Sequence, residues 1–92
     1  MHIEFDPANN EVNIRNRRLS FEQTAEVDCR TAVVAQDARK AYTETRFVAV
    51  GFLDKRLHVL CFTPRAGGIR VISFRKANAR EVKDYEQTRS TD

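Results

Sequence analysis

The residues of this chain best suited to chemistry crowd into one run, Gly68-Ile69-Arg70-Val71-Ile72-Ser73-Phe74-Arg75-Lys76-Ala77-Asn78-Ala79-Arg80-Glu81. Arg70, Arg75, Lys76 and Arg80 fall within eleven residues, with Ser73 among them. The run begins with the alternation of a strand and turns to a helix at Asn78. Four cations at a strand-to-helix corner can grip a phosphate backbone. Twelve of the sixteen Lys and Arg residues are Arg. The guanidinium fork meets a phosphate bidentately and stays charged in any environment, so the bias outweighs the modest net charge of +3. The competing reading is a solvated surface in which each Arg pairs with a carboxylate.

Strand alternation divides the group. Arg75 shares a face with Ser73 and Val71, and Arg70 shares one with Ile72 and Phe74. The two arginines enter one site only if a twist or bulge intervenes. Other chemistry is thinly represented. Cys29 and Cys61 stand 32 residues apart and His2 and His58 have no neighbour at ligand spacing, so no metal site or cofactor is expected. The cysteines read as reduced thiols. No apolar run resembles a signal peptide or reaches the ~18 residues of a membrane span, which points to a cytoplasmic protein with no membrane partner.

The elements that hold these residues can be read in order. At 92 residues and 41% hydrophobic, with six Phe, the chain suits one small domain of two packed layers. His2 to Phe5 alternates as a short strand. Asp6-Pro7 starts a helix that runs to about Arg18, thin in apolar residues and burdened by four Asn. Ser20 and Gln23 form a capping box, which opens a second helix ending near Val27 or Asp28. Thr31 to Ala35, Glu44 to Phe52, Leu57 to Thr63 and Ile69 to Arg75 read as strands. Gln36 to Thr43 is a polar loop with Arg39 and Lys40. Short turns at Leu53–Arg56 and Arg65–Gly68 make the last three strands a meander, the second turn using glycine for positive φ. Asn78, with Glu81 three residues on, caps a final helix that packs through Val82 and Tyr85, and Thr88 to Asp92 is a frayed tail. The expected architecture is α+β: a short N-terminal strand, a two-helix hairpin, an antiparallel four-stranded sheet and a C-terminal helix.

In this order the residues resemble a known family. Phe5-Asp6-Pro7-Ala8, Asn13-Ile14-Arg15, Ser20-Phe21-Glu22 and Glu44-x-Arg46 before Gly51 carry part of the likeness. Its densest part is Ile69-Arg70-Val71-Ile72-Ser73-x-Arg75-Lys76-Ala77, with Arg80-Glu81 and Tyr85 after it. From Ile3 to about Tyr85 the chain is similar to the BrnT toxins of bacterial type II toxin–antitoxin pairs, which resemble RelE-type ribonucleases in fold. The resemblance implies an endoribonuclease that cleaves RNA without metal and inhibits translation. It also implies neutralisation by a cognate ribbon-helix-helix antitoxin, through which alone promoter DNA is met. The chain departs from the family pattern in two places. Asn16-Arg17-Arg18 stands where Lys-His-Gly is usual, and Phe62 where His or Tyr is frequent.

RNA cleavage without metal requires a deprotonated 2′-hydroxyl, a stabilised pentavalent phosphate and a protonated leaving oxygen. RelE-like enzymes rely on Arg, Lys and Tyr for this. Carried over, the catalytic set is Arg46, Arg75, Lys76 and Tyr85, and the RNA-binding set is Arg65, Arg70, Arg80 and Arg17. Arg75 and Arg46 are expected to clamp the scissile phosphate. The structural readings opposed to these roles are an ion pair of Arg46 with Glu44 or Glu81 and a core position for Tyr85; Glu44 as general base is weighed against an ion pair, and His58 as a catalytic group against a half-buried structural residue. The alternative function is a catalytically weak or inactive RNA- or partner-binding module on the same fold.

Overall fold

A computed structural model describes residues 2–38, 41 and 43–90. The elements in order are β1 (His2–Glu4), α1 (Pro7–Arg17), a 3-10 helix (Phe21–Glu26), β2 (Val33–Gln36), β3 (Phe47–Leu53), β4 (Arg56–Arg65), β5 (Gly68–Lys76) and α2 (Ala79–Ser90). The strands form one five-stranded sheet in the order β1-β5-β4-β3-β2. The meander is antiparallel as expected, and so is β2 against β3, but β1 joins the far edge parallel to β5. The sheet is therefore mixed and has five strands, a correction to the four-stranded antiparallel expectation. The reason lies in Gly68: a Cβ there would stand 1.9 Å from the carbonyl oxygen of His2. Only glycine lets β1 lie this close to the start of β5.

The expected helical hairpin is also corrected. Asp6 and Pro7 open α1, with the Asp6 carboxylate accepting from the Ala8 N–H at 2.8 Å. The helix ends at Arg18, which adopts φ 61° and donates its N–H to the Ile14 carbonyl. An Arg thus takes the left-handed position that usually falls to glycine. The Ser20–Gln23 capping box forms, yet it opens six residues of 3-10 helix rather than a second α-helix. The Thr24 hydroxyl bonds back to the Phe21 carbonyl at 2.7 Å, and Val27 already has an extended backbone. The extended Val27 ends the segment after six residues, in keeping with the short pieces in which 3-10 helix is used.

Both sheet faces are covered in part. On one, Leu19, Phe21 and Val27 meet Ala49, Leu60, Ile69, Val71 and Phe74, with Ile3 and Phe5 packed alongside. On the other, Tyr85 and Val82 of α2 pack with Leu57, Val59, Val50 and Phe52. Notably, α1 buries no residue. Its asparagines attach it instead: the Asn13 amide donates to the Leu19 and Phe74 carbonyls at 2.9 and 2.8 Å, and Asn10 Oδ1 accepts from the Phe21 N–H at 2.8 Å. The poor helix formers of the sequence are what tie this helix down. Arg39 and Lys40 of the expected loop, and Thr91 and Asp92 of the expected tail, lie outside the described residues. The final helix runs to Ser90, past the Thr88 at which fraying is expected. Strand β4 runs on through Pro64, which pairs with Ile69 beyond the last β3 partner, Phe62. With one flank of β4 open there, a proline is tolerated.

Candidate functional site

The face-sorting by simple alternation fails at one residue. Cys61 is opposite Ser73 but Phe62 is opposite Val71, so Ile72 is an extra residue bulged out of β5. A bulge reverses the parity of everything beyond it. Val71 and Phe74 consequently both enter the core on the α1 side. Ser73 and Arg75 face the other way, opposite Cys61 and Val59. Arg70 faces that way too, since Ile69 and Val71 on either side of it point into the core. The bulge reunites the two arginines on the α2 face.

That face carries a groove of about 470 Å³. Its floor is Val48, Val59 and Cys61, one wall is Ser73, Arg75 and Glu81, and the other is the chain leaving β2, Ala35 to Ala38. A second hollow of about 410 Å³ is lined by Thr43, Glu44, Thr45 and Arg46 and shares Gln36, Asp37 and Ala38 with the first. Asp37 is buried, and its N–H donates to the Arg46 carbonyl at 2.8 Å, which extends the β2–β3 ladder by one step. Arg46 and Arg75 therefore line two neighbouring hollows that share Gln36, Asp37 and Ala38.

Three of the cations here are held by carboxylates. Arg75 makes a bidentate contact with Glu81, at 2.7 Å from Nη1 and 2.8 Å from Nη2. The same carboxylate accepts from the Asn78 N–H at 2.9 Å, while Asn78 Oδ1 accepts from the Glu81 N–H at 2.8 Å, so the capping box of α2 also sets the guanidinium. The Arg75 fork outweighs the opposing effect of burial and pulls the Glu81 carboxyl down to about 2. Arg70 donates to Glu4 at 2.6 Å, and this bond holds the Glu4 carboxyl below its ordinary range. Arg65 meets Glu44 at 2.8 Å and Glu4 at 3.8 Å, and the Glu44 bond raises the Arg65 guanidinium further. A phosphate reaching this face must exchange with carboxylates. Solvent-screened ion pairs of this kind are weak, so the exchange is open to a phosphate.

The remaining expected residues are placed elsewhere. Lys76, one step past Arg75 and paired with His58, lies on the α1 face and is exposed. His58 is buried there, stacked on Phe74 at 5.3 Å with Nδ1 2.8 Å from the Arg56 carbonyl oxygen. Tyr85 is a core residue, edge-on to Phe52, and its hydroxyl donates to the Thr31 carbonyl at 2.8 Å. Arg17 is exposed at the end of α1 and lines a hollow with Ile72 on the face opposite the groove. Arg80 is exposed in the first turn of α2. Sequence reasoning missed Asp37, Cys61 and Glu4 as members of this face. Glu4 was within reach, because alternation with the buried-type Ile3 and Phe5 already turns it away from the core.

A family model described as the ribonuclease toxin, BrnT, of type II toxin–antitoxin systems matches residues 5–81. The chain belongs to the BrnT family. The match spans α1, the whole sheet beyond β1, the capping box of α2 and both hollows. BrnT proteins are the ribonuclease toxins of two-part systems, so membership implies an antitoxin partner. A search of curated proteins returned no match. Among the described residues no helix is long and apolar enough to cross a membrane.

Proposed function

We propose that this BrnT protein is an endoribonuclease that cleaves RNA without a metal ion, inhibits translation and is neutralised by a ribbon-helix-helix antitoxin. One observation supports this above others: Arg46 and Arg75 line hollows that meet at Gln36–Ala38. In this reading the two guanidinium groups clamp the scissile phosphate and offset the charge of the pentavalent transition state, while Arg65 and Arg70 follow the RNA strand. Asp37, the carboxylate common to both hollows, takes the proton of the 2′-hydroxyl. Oxygen then attacks phosphorus, the bond to the 5′-oxygen breaks, and that oxygen takes a proton from water, leaving a 2′,3′-cyclic phosphate on one fragment and a 5′-hydroxyl on the other. Lys76, Tyr85 and Arg17 take no part in the chemistry. The test is cleavage of a single-stranded RNA by the purified chain, with and without EDTA. Equal rates, and products ending in cyclic phosphate, are the expected result. Loss of activity in EDTA would overturn the metal-free mechanism. Tight RNA binding with steep salt dependence but no cleavage would favour an inactive binding module.

A further inference from the structure

On the groove face Arg65, Arg70 and Arg75 each hold a carboxylate, but the arginines of α1 do not. Arg15, Arg17 and the capping Arg18 have no acidic partner among the described residues, and no acidic residue lies between Val12 and Phe21. The same helix buries nothing and leaves Val12 47% exposed. Between α1 and the β5 bulge lies a hollow of about 310 Å³. Its apolar parts are Val12, Phe21 and Ile72, and its rim is polar, with Asn9, Asn16 and Arg17. The bulge that turns Arg75 toward the groove also pushes Ile72 into this hollow. Helical spacing puts Arg15 and Asn16 one turn beyond Val12, so a cation and an amide flank the apolar spot.

We propose that this hollow is a protein-docking site, and that its occupant is an acidic segment of the antitoxin carrying an apolar anchor side chain. The proposal rests on the toxin–antitoxin reading and adds a location, on the sheet face opposite the RNA groove. Two features favour protein over RNA. An exposed valine beside Ile72 and Phe21 offers a dry contact that a phosphate backbone cannot use, and arginines without acidic partners around it match carboxylates. A partner held here restrains the toxin without entering the groove, so antitoxin and RNA contacts are separable by mutation.

The experiment is titration calorimetry of the full chain against the antitoxin encoded beside it, using wild type and the double variant Val12→Gln/Arg15→Glu. Gln forms helix at least as well as Val, and neither residue is buried, so thermal melting should be nearly unchanged. The expected result is a roughly thirtyfold loss of antitoxin affinity, the scale of losing an interface hot spot, with RNA cleavage at the wild-type rate. Wild-type affinity in the folded double variant would overturn the proposal while leaving the toxin–antitoxin reading intact. So would loss of RNA affinity with antitoxin affinity unchanged, which would make α1 an RNA surface. Failure of the wild-type chain to bind that antitoxin at all would overturn both.

Discussion

Replacing Glu81 by Gln separates two jobs that one carboxylate performs. A Gln amide can still accept from the Asn78 N–H and keep the cap of α2, but it cannot pair its charge with Arg75. Moving a carboxyl from 4.5 to about 2 corresponds to about 3 kcal/mol at neutral pH, at about 1.4 kcal/mol for each pH unit. The side chains of Arg75 and Glu81 are 32% and 27% exposed, so solvent screening reduces this to roughly 1–2 kcal/mol. The sign is that of a carboxyl depressed in the folded chain. Its stabilisation is fully present above 4.5 and is lost as pH falls from there toward about 2. Urea unfolding monitored by circular dichroism, run on wild type and Glu81→Gln at pH 7 and pH 3, measures it. Other carboxylates titrate in both proteins and cancel in the difference. Wild type should be the more stable by about 1–2 kcal/mol at pH 7, and most of that margin should be gone at pH 3. A margin that is absent at pH 7, or equally large at pH 3, would mean that the charge on Glu81 does not anchor Arg75.

The fold leads to three further outcomes. Gly68→Ala forces a methyl against the His2 carbonyl and should detach β1, at a cost of about 2–4 kcal/mol in urea unfolding. Arg18→Gly relieves the left-handed backbone at the end of α1 and should gain about 1 kcal/mol, raising the melting temperature by about 4–8 °C in differential scanning fluorimetry. Tyr85→Phe gives up the hydroxyl bond to Thr31 and should lose about 1 kcal/mol of stability, with the RNA cleavage rate unchanged; a large drop in rate would return Tyr85 to the chemistry.

Local signals in the sequence carried the elements they could reach. Asp6-Pro7, Ser20 with Gln23, and Asn78 with Glu81 each cap the segment they announce, because a cap is settled within three residues. The two hairpin turns are legible for the same reason, with Gly67 at φ 75° in the second. The features that escaped are long-range or subtle. The parallel pairing of β1 with β5 joins residues 66 apart, and its only mark is a glycine that also reads as part of a turn. The bulge at Ile72 leaves no mark in a run that alternates on either side of it, yet it decides which arginines share a face. The 3-10 geometry after Ser20 begins with the same capping box that opens an α-helix, so the sequence start signal does not separate the two. For the site, residue types and the position of Arg75 were readable, but the pairs of Glu44 with Arg65 and of Glu81 with Arg75 were not, since each joins residues whose approach is set by the fold and not by local spacing.

Whether Arg46 and Arg75 act together on one phosphate is decided by single-turnover RNA cleavage with Arg46→Ala and Arg75→Ala, each confirmed as folded by circular dichroism. Each should cut about 100-fold more slowly than wild type, and the double variant should be little worse than either alone, since the residues act as a unit. Cleavage at the wild-type rate in both single variants would show that the two guanidinium groups do not clamp the scissile phosphate.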